Sequence, residues 1–142
     1  MGDPLSTLSI RADRSEVRTA SQWLGEFSHQ YEVPANKLLA LDQCLDEVLM
    51  NIVMHGGASA SETPVELSFA INQIDQHKEA AVTVSDSGAL FNSADTEPKA
   101  KPSTLEEAEP GGLGLAIIQG LSDRLAYEFK GGRNILTFAI RL

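Results

Sequence analysis

The chain has 142 residues, of which 42% are hydrophobic and 22% charged, a balance typical of one soluble globular domain and not of a disordered segment. Its 20 acidic residues against 11 lysines and arginines give a formal charge of −9, which argues against direct nucleic-acid binding because phosphate backbones require clustered cations. No apolar run approaches a membrane span, no signal peptide is recognisable, and a single cysteine fits a reducing compartment, so we expect a cytoplasmic protein.

The first predicted elements are a short strand and an amphipathic helix. Apolar and polar residues alternate over residues 7–11, which predicts a strand. Asp13 and Glu16 have the spacing of a capping box, in which Asp13 accepts from the helix N–H groups and Glu16 reaches back. Apolar residues at helical spacing then predict a helix that runs to about Tyr31.

A second helix is predicted from Pro34 to the glycine pair at residues 56–57. Its apolar residues recur at helical spacing, and Cys44 lies within this pattern. We therefore expect Cys44 to be a small buried hydrophobe, with a reactive thiol as the minor alternative.

The remaining elements are mostly strands of period two. Alternation covers residues 65–72, 82–86, 125–130 and 136–142, and Gly131-Gly132 predicts a hairpin turn before the last strand. Because one face of each strand is mostly polar, helices should cover only the other face. The sequence therefore predicts a two-layer α/β sandwich with a mixed, largely antiparallel sheet.

One long segment without periodicity interrupts these strands, over about residues 92–111. A loop of this length in a compact domain is usually a functional lid or a disordered segment. Lys99 and Lys101 lie in it, and they would either contact phosphates when the lid closes or remain solvated loop charges. We find no sign of a second domain, so residues 1–142 are predicted to form a single domain that contains this lid.

Glu47, Asn51 and His55 follow one another at intervals of four residues and so share one face of the second helix. This row interrupts the apolar seam and is expected to border a pocket. The neutral oxygen of Asn51 suits a Mg²⁺ ion held mainly by phosphates and water. Glu47 beside that ion would take a proton from an attacking hydroxyl or water. A solvated polar stripe is the alternative interpretation.

Asp86 has the same strand parity as Val82 and Val84, so its side chain is predicted to face the helix-covered side of the sheet. A buried carboxylate needs a donor, and the exocyclic amine of adenine is a suitable one. Gly88 would permit a close backbone approach or a positive φ just beyond the strand. An ordinary turn is the alternative, since Asp-x-Gly is common after strands.

Gly111, Gly112 and Gly114 precede the apolar residues 115–118, a pattern that predicts a flexible glycine loop running into a helix. Free N–H groups and the positive end of the helix dipole can hold phosphates at such a place. The segment lacks the Gly-Lys-Ser/Thr of a Walker A loop and the third glycine of a Rossmann fingerprint. A helix entry that uses glycine only for close packing is the alternative.

The order Glu-x-x-x-Asn, Asp-x-Gly and Gly-x-Gly resembles the N, G1 and G2 boxes of the GHKL ATPases, which share the Bergerat ATP-binding fold. Residues 41–56, 111–118 and 132–137 are similar to the bacterial anti-sigma-factor serine/threonine kinases of the RsbW, SpoIIAB and BtrW type. The resemblance spans nearly the whole chain and implies ATP and Mg²⁺ as cofactors.

The resemblance also implies a role for each motif residue. Glu47 would be the general base and Asn51 the Mg²⁺ ligand, whereas Asp86 would read the adenine amine and Gly88 would lie under the base. The glycines that open the next helix would approach the phosphates beneath the lid. The nucleotide-binding residues implied in this way are Asn51, Asp86, Gly88, Gly112, Leu113, Gly114 and Leu115.

Members of this family phosphorylate a serine of a small STAS-domain antagonist and sequester a sigma factor or similar regulator, often as homodimers. Some relatives carry an arginine just before the glycine pair that stabilises the γ-phosphate, and Pro110 occupies this stretch here. A lid lysine or another arginine would have to supply that charge. The departure leaves a second hypothesis open, a nucleotide-gated protein-binding module with little or no phosphoryl transfer.

Overall fold

The computed structural model describes residues 3–55, 63–87 and 110–142, with the side chains of residues 55 and 110–115 excepted. A 3₁₀ turn at Arg14–Glu16 precedes the first helix. The helices and strands, in chain order, are β1 (Ser6–Ile10), α1 (Val17–Gln30), α2 (Ala35–His55), β2 (Val65–Ile74), β3 (His77–Asp86), α3 (Pro110–Leu121), β4 (Arg124–Lys130) and β5 (Arg133–Arg141).

The five strands form one sheet in the order β1-β2-β3-β5-β4, and every pairing among these described strands is antiparallel. The sequence predicted a mixed, largely antiparallel sheet, so the expected parallel component is missing from this part of the chain. The route of the chain explains the difference. The segment containing α3 joins β3 to β4, which run in the same direction, but β5 turns back and pairs between them.

The helices cover one face of the sheet, as the alternation predicted. Helix α2 packs against β3 and β5 and against both other helices, while α1 contacts β1. Full burial of one aliphatic side chain contributes about 1.5–3 kcal/mol. The apolar side chains between the helices and the sheet therefore supply most of the stabilisation of the fold. The largest fully buried side chains are Phe69, Phe138, Leu24, Leu41, Leu45, Leu49, Leu67, Ile118, Val48, Val65 and Val82.

The entry to α1 follows only half of the predicted capping box. The Asp13 carboxylate accepts a hydrogen bond from the Ser15 N–H at 3.0 Å, as predicted. Glu16 does not reach back to the backbone of Asp13, because that N–H donates to the carbonyl of Arg11 at 2.8 Å. The Glu16 carboxylate instead pairs with the Arg11 guanidinium at 3.3 Å.

The hairpin between β4 and β5 forms at Gly131 and Gly132, as predicted. Both residues have positive φ angles, 61° and 77°, which side chains with a Cβ adopt only with strain. This turn brings Asn134, the second residue of β5, opposite both Phe129 of β4 and Asp86 of β3. The hairpin thereby fixes which side chains stand beside the end of β3.

The sheet face opposite the helices, called here the open face, is polar but not uniformly exposed. Glu79 on β3 is only 4% exposed. It accepts hydrogen bonds from Arg124 of β4, the shortest at 2.6 Å, and from the Asn72 amide of β2 at 3.1 Å. These contacts link three strands on the open face across β5. No helix in the described residues is long and apolar enough to cross a membrane.

Candidate active site

Helix α2, which carries the first motif, packs against the elements that carry the other two. Helix α2 holds Glu47 and Asn51, and it contacts β3, which ends at Asp86, and α3, which begins with the glycine segment. The fold therefore brings these motif-bearing elements to the helix-covered side of the sheet. Gly88, Lys99 and Lys101 lie outside the described residues, so their predicted roles stay predictions.

Asp86 has the position that its strand parity predicted. It is 5% exposed and follows Val82 and Val84 on the helix-covered face of β3. Its Oδ1 accepts a hydrogen bond from Nδ2 of Asn134 at 3.2 Å. Asn134 Oδ1 in turn accepts from the hydroxyl of Tyr127 at 2.7 Å. A buried carboxylate is therefore held at the end of β3 by a donor from the neighbouring strand.

Asn134 and Tyr127 were not predicted as site residues. Asn134 has the same parity as the buried apolar residues Leu136, Phe138 and Ile140, and it is itself only 4% exposed. A polar residue at a buried position of an otherwise apolar strand face is the signal that identifies it, since buried polar groups require hydrogen-bond partners. Tyr127 gives no comparable signal, because an aromatic residue is ordinary in a strand.

Glu47 is partly exposed, one helical turn before Asn51. Burial, with a further contribution from the negative charge of Asp46, raises the pKa of the Glu47 carboxyl above its usual value. A raised pKa makes the carboxylate a better proton acceptor. A partly exposed carboxylate of raised pKa is compatible with the predicted general base, and that role stays a prediction.

Asn51 is 6% exposed, and its Nδ2 has no hydrogen-bond partner within the part of the chain that the structure describes. Leaving such a group unpaired costs about 1–3 kcal/mol, so packing alone gives no reason for an amide at this position. The neutral Oδ1 of an asparagine suits Mg²⁺, which usually takes one or two protein ligands and completes its shell with phosphates and water. The Oδ1 of Asn51 is thus compatible with the predicted Mg²⁺ ligand, whereas its Nδ2 is a hydrogen-bond donor and cannot bind the ion.

The glycine segment differs from its prediction. The sequence predicted a loop that runs into a helix, with the lid extending to about residue 111, whereas α3 already begins at Pro110. Gly112 and Gly114 therefore lie within the helix. Proline suits a first helical position because its missing N–H would have no acceptor there, and the helix-forming residues 115–118 extend the same helix. The first-turn N–H groups of a helix still lack intrahelical acceptors and remain suited to phosphate.

Cys44 is confirmed as a buried residue. It is fully shielded from solvent, and burial, with a smaller effect of the negative charge of Glu47, raises its thiol pKa to about 11. A thiol with this pKa is almost entirely protonated at neutral pH, which makes it a poor nucleophile. Cys44 therefore contributes packing to α2 and no chemistry to the site.

Comparisons with known proteins agree with this geometry. A family model described as a histidine kinase-like ATPase domain matches residues 10–140. The serine/threonine-protein kinase BtrW of Bordetella bronchiseptica is 26% identical over 137 residues, which cover 96% of this chain and 94% of that protein. The resemblance that the motifs indicated is thus confirmed.

Two solved structures share the fold. The RsbU and RsbW domains of a Mycobacterium tuberculosis protein match with a TM-score of 0.69 and 17% identity, covering 99% of this chain and 33% of that longer one. A chain of the SiaB–SiaC complex from Pseudomonas aeruginosa matches with a TM-score of 0.59 and 17% identity, covering 98% and 91%. Because the family model spans most of the sequence, the chain belongs to the family of histidine kinase-like ATPase domains, the GHKL ATPases.

Proposed function

We propose that this protein is an anti-sigma-factor-type serine kinase, which binds ATP with Mg²⁺ and phosphorylates a serine of a STAS-domain antagonist protein. The observation that carries the proposal is that Glu47 and Asn51 lie one helical turn apart on α2. This arrangement joins a partly exposed carboxylate of raised pKa to a buried amide whose Nδ2 lacks a partner among the described residues. The similarity to a curated serine/threonine-protein kinase supports the same reaction class.

In the proposed reaction, the serine hydroxyl oxygen attacks the γ-phosphorus of ATP and the bond to the β–γ bridging oxygen breaks, which releases ADP. Glu47 orients the hydroxyl and accepts its proton. Asn51 holds Mg²⁺, which when bound neutralises charge on the phosphate oxygens. Asp86 accepts a hydrogen bond from the adenine amine, and the first turn of α3 approaches the phosphates.

The cation that replaces the missing arginine comes, in this proposal, from Lys99 or Lys101 of the lid. Two of the arginines that the structure describes are committed to the open face. Arg133 donates to the hydroxyl and carbonyl of Ser85 at 2.7 and 2.8 Å, and Arg124 donates to Glu79. Both guanidinium groups are held on the side of the sheet away from α2.

The partners are proposed on the basis of similarity. The relatives include a kinase named BtrW and chains solved as RsbU–RsbW domains and as a SiaB–SiaC complex. By analogy we propose a STAS-domain antagonist as substrate, a sigma factor or similar regulator as the sequestered partner, and a homodimer as the functional state. Dependence on ATP and the single buried thiol of Cys44 support a cytoplasmic location.

The test is transfer of ³²P from [γ-³²P]ATP to candidate STAS-domain proteins of the same organism. Wild type should label an antagonist serine, and Glu47→Ala should lower the rate by about 10²–10⁴-fold while ATP affinity is retained. Glu128→Ala is the matched control, because this glutamate is exposed on β4 away from the site.

Normal transfer by Glu47→Ala would refute the assignment of the general base. No transfer by wild type, despite measurable ATP binding and a stable complex with a partner, would refute the kinase and favour the nucleotide-gated binding module. The two hypotheses are therefore separated by label on the antagonist and not by partner release alone.

A further inference from the structure

We propose that Tyr127, acting through Asn134, is a positioning residue that makes Asp86 selective for a purine bearing an amino group at carbon 6. The inference rests on the proposed function, since it assigns a selectivity mechanism to the nucleotide site. Neither the motifs nor the family resemblance assigned a role to Tyr127 on β4 or to Asn134 on β5.

The three side chains form a relay across neighbouring strands. Asn134 on β5 lies opposite Asp86 on β3, and Tyr127 lies two residues before the β4 partner of Asn134. The hydroxyl of Tyr127 donates to Oδ1 of Asn134 at 2.7 Å, and Nδ2 of Asn134 donates to Oδ1 of Asp86 at 3.2 Å. Asn134 and Asp86 are 4% and 5% exposed, so water does not replace these contacts easily.

The two ends of the Asn134 amide differ, because Nδ2 donates hydrogen bonds and Oδ1 accepts them. The phenolic proton of Tyr127 is directed at the amide oxygen of Asn134, which leaves the amino end for Asp86. A reversed amide would place its oxygen against the carboxylate and its amino group against the hydroxyl. The carboxylate of Asp86, which can only accept, requires the amino end of Asn134, and the Tyr127 hydroxyl holds the amide in place by donating to its oxygen.

A donor directed at Asp86 stabilises the ionised carboxylate, which can only accept hydrogen bonds. Two carboxylate oxygens offer about four acceptor positions, so the bond from Asn134 is compatible with a further donor from a ligand. A 6-amino group supplies such a donor, whereas a 6-oxo group would place oxygen against oxygen. The chemistry of the relay therefore favours adenine over guanine or hypoxanthine.

The experiment compares ATP with purine riboside triphosphate, which differs from ATP only in lacking the 6-amino group, by isothermal titration of the full chain with Mg²⁺. Tyr127→Phe should weaken ATP binding about tenfold and leave binding of the analogue unchanged, so that the ratio of the two affinities collapses. Tyr31→Phe is the matched control, because Tyr31 is 37% exposed at the end of α1 and should change neither affinity.

A second variant tests whether Tyr127 acts through Asn134. Asn134→Ala should also reduce the preference for ATP over the analogue, and adding Tyr127→Phe to it should cause no further loss. Additive losses would overturn the relay, because they would show that each residue acts alone.

The remaining outcomes are distinct. If Tyr127→Phe lowers the affinities for both nucleotides equally, its role is merely structural, and if it changes neither affinity, it has no role. Either result overturns this inference and leaves the proposed function standing. Wild type that binds neither nucleotide would instead refute the proposed ATP site, whereas wild type that binds both equally would refute recognition of the adenine amine by Asp86 and overturn the inference with it. Circular dichroism of each variant confirms that the comparison is made on folded protein.

Discussion

The buried ion pair on the open face gives the sharpest prediction about stability, through the variant Arg124→Met. Glu79 has a side chain only 5% exposed, while that of Arg124 is 29% exposed, and their closest atoms are 2.6 Å apart. Arg124 lies opposite Ala139 of β5, whose small side chain lets the guanidinium reach across to β3. Methionine replaces the apolar stem of arginine and lacks the guanidinium, which leaves Glu79 buried without its cation.

The expected loss in the free energy of unfolding comes from the carboxylate of Glu79, which stays buried without a cation. Removing one member of a buried ion pair costs about 3–5 kcal/mol, and the partial exposure of Arg124 places this pair at the lower end, about 3 kcal/mol at pH 7. For 142 residues the entropy of unfolding is about 0.3 kcal/mol per kelvin. The melting temperature should therefore fall by about 10 °C.

The dependence on pH provides an independent check. Burial alone would raise the pKa of Glu79, but the hydrogen bonds from Arg124 and Asn72 and the charges of Arg124 and His77 outweigh it and hold the pKa below its usual value. A lowered folded-state pKa contributes stability that is present above the unfolded pKa, about 4.3, and lost as the pH falls through the folded value. In Arg124→Met we expect burial to dominate and to raise the folded-state pKa of Glu79 above its unfolded value. The free energy of unfolding of the variant should then fall as the pH rises, relative to that of the wild type. The gap between wild type and variant should narrow from pH 7 to pH 4.

The assay is urea unfolding at pH 7, 5 and 4, followed by circular dichroism and by the fluorescence of Trp23, the single tryptophan, which is 7% exposed. Arg11→Met is the matched control, because the Arg11–Glu16 pair is a surface contact and should contribute less than about 1 kcal/mol. A loss in Arg124→Met no larger than in this control, or a gap that does not narrow at acid pH, would refute the reasoning.

Two further predictions concern the site and the helix that carries it. Asp86→Asn should weaken ATP binding by about 10–100-fold, because it neutralises the carboxylate that accepts the adenine amine, and unchanged affinity in a calorimetric titration would contradict that role. Cys44, fully buried and with a thiol pKa raised to about 11, should react with a thiol-specific disulfide reagent only after urea is added. Rapid stoichiometric labelling of the native protein would show that α2 opens or that the thiol is accessible.

The order of the elements and the family can be read from the amino-acid sequence alone. Period-two alternation in the strands and helical spacing around Cys44 follow directly from which residues face the core, so they are readable along the chain. The motif residues Glu47, Asn51 and Asp86 were equally readable, because four-residue spacing and strand parity are local properties. The one-sided cover of the sheet followed from the polar second face of each strand.

The contacts between distant segments could not be read from the sequence. The position of β5 between β3 and β4 made the described sheet antiparallel throughout, and α3 took in glycines that the sequence assigned to a loop. The contacts of Asp86 with Asn134 and of Glu79 with Arg124 join residues 48 and 45 positions apart. Periodicity specifies which face a side chain occupies but not which strand lies beside it, because strand order depends on how the whole core packs.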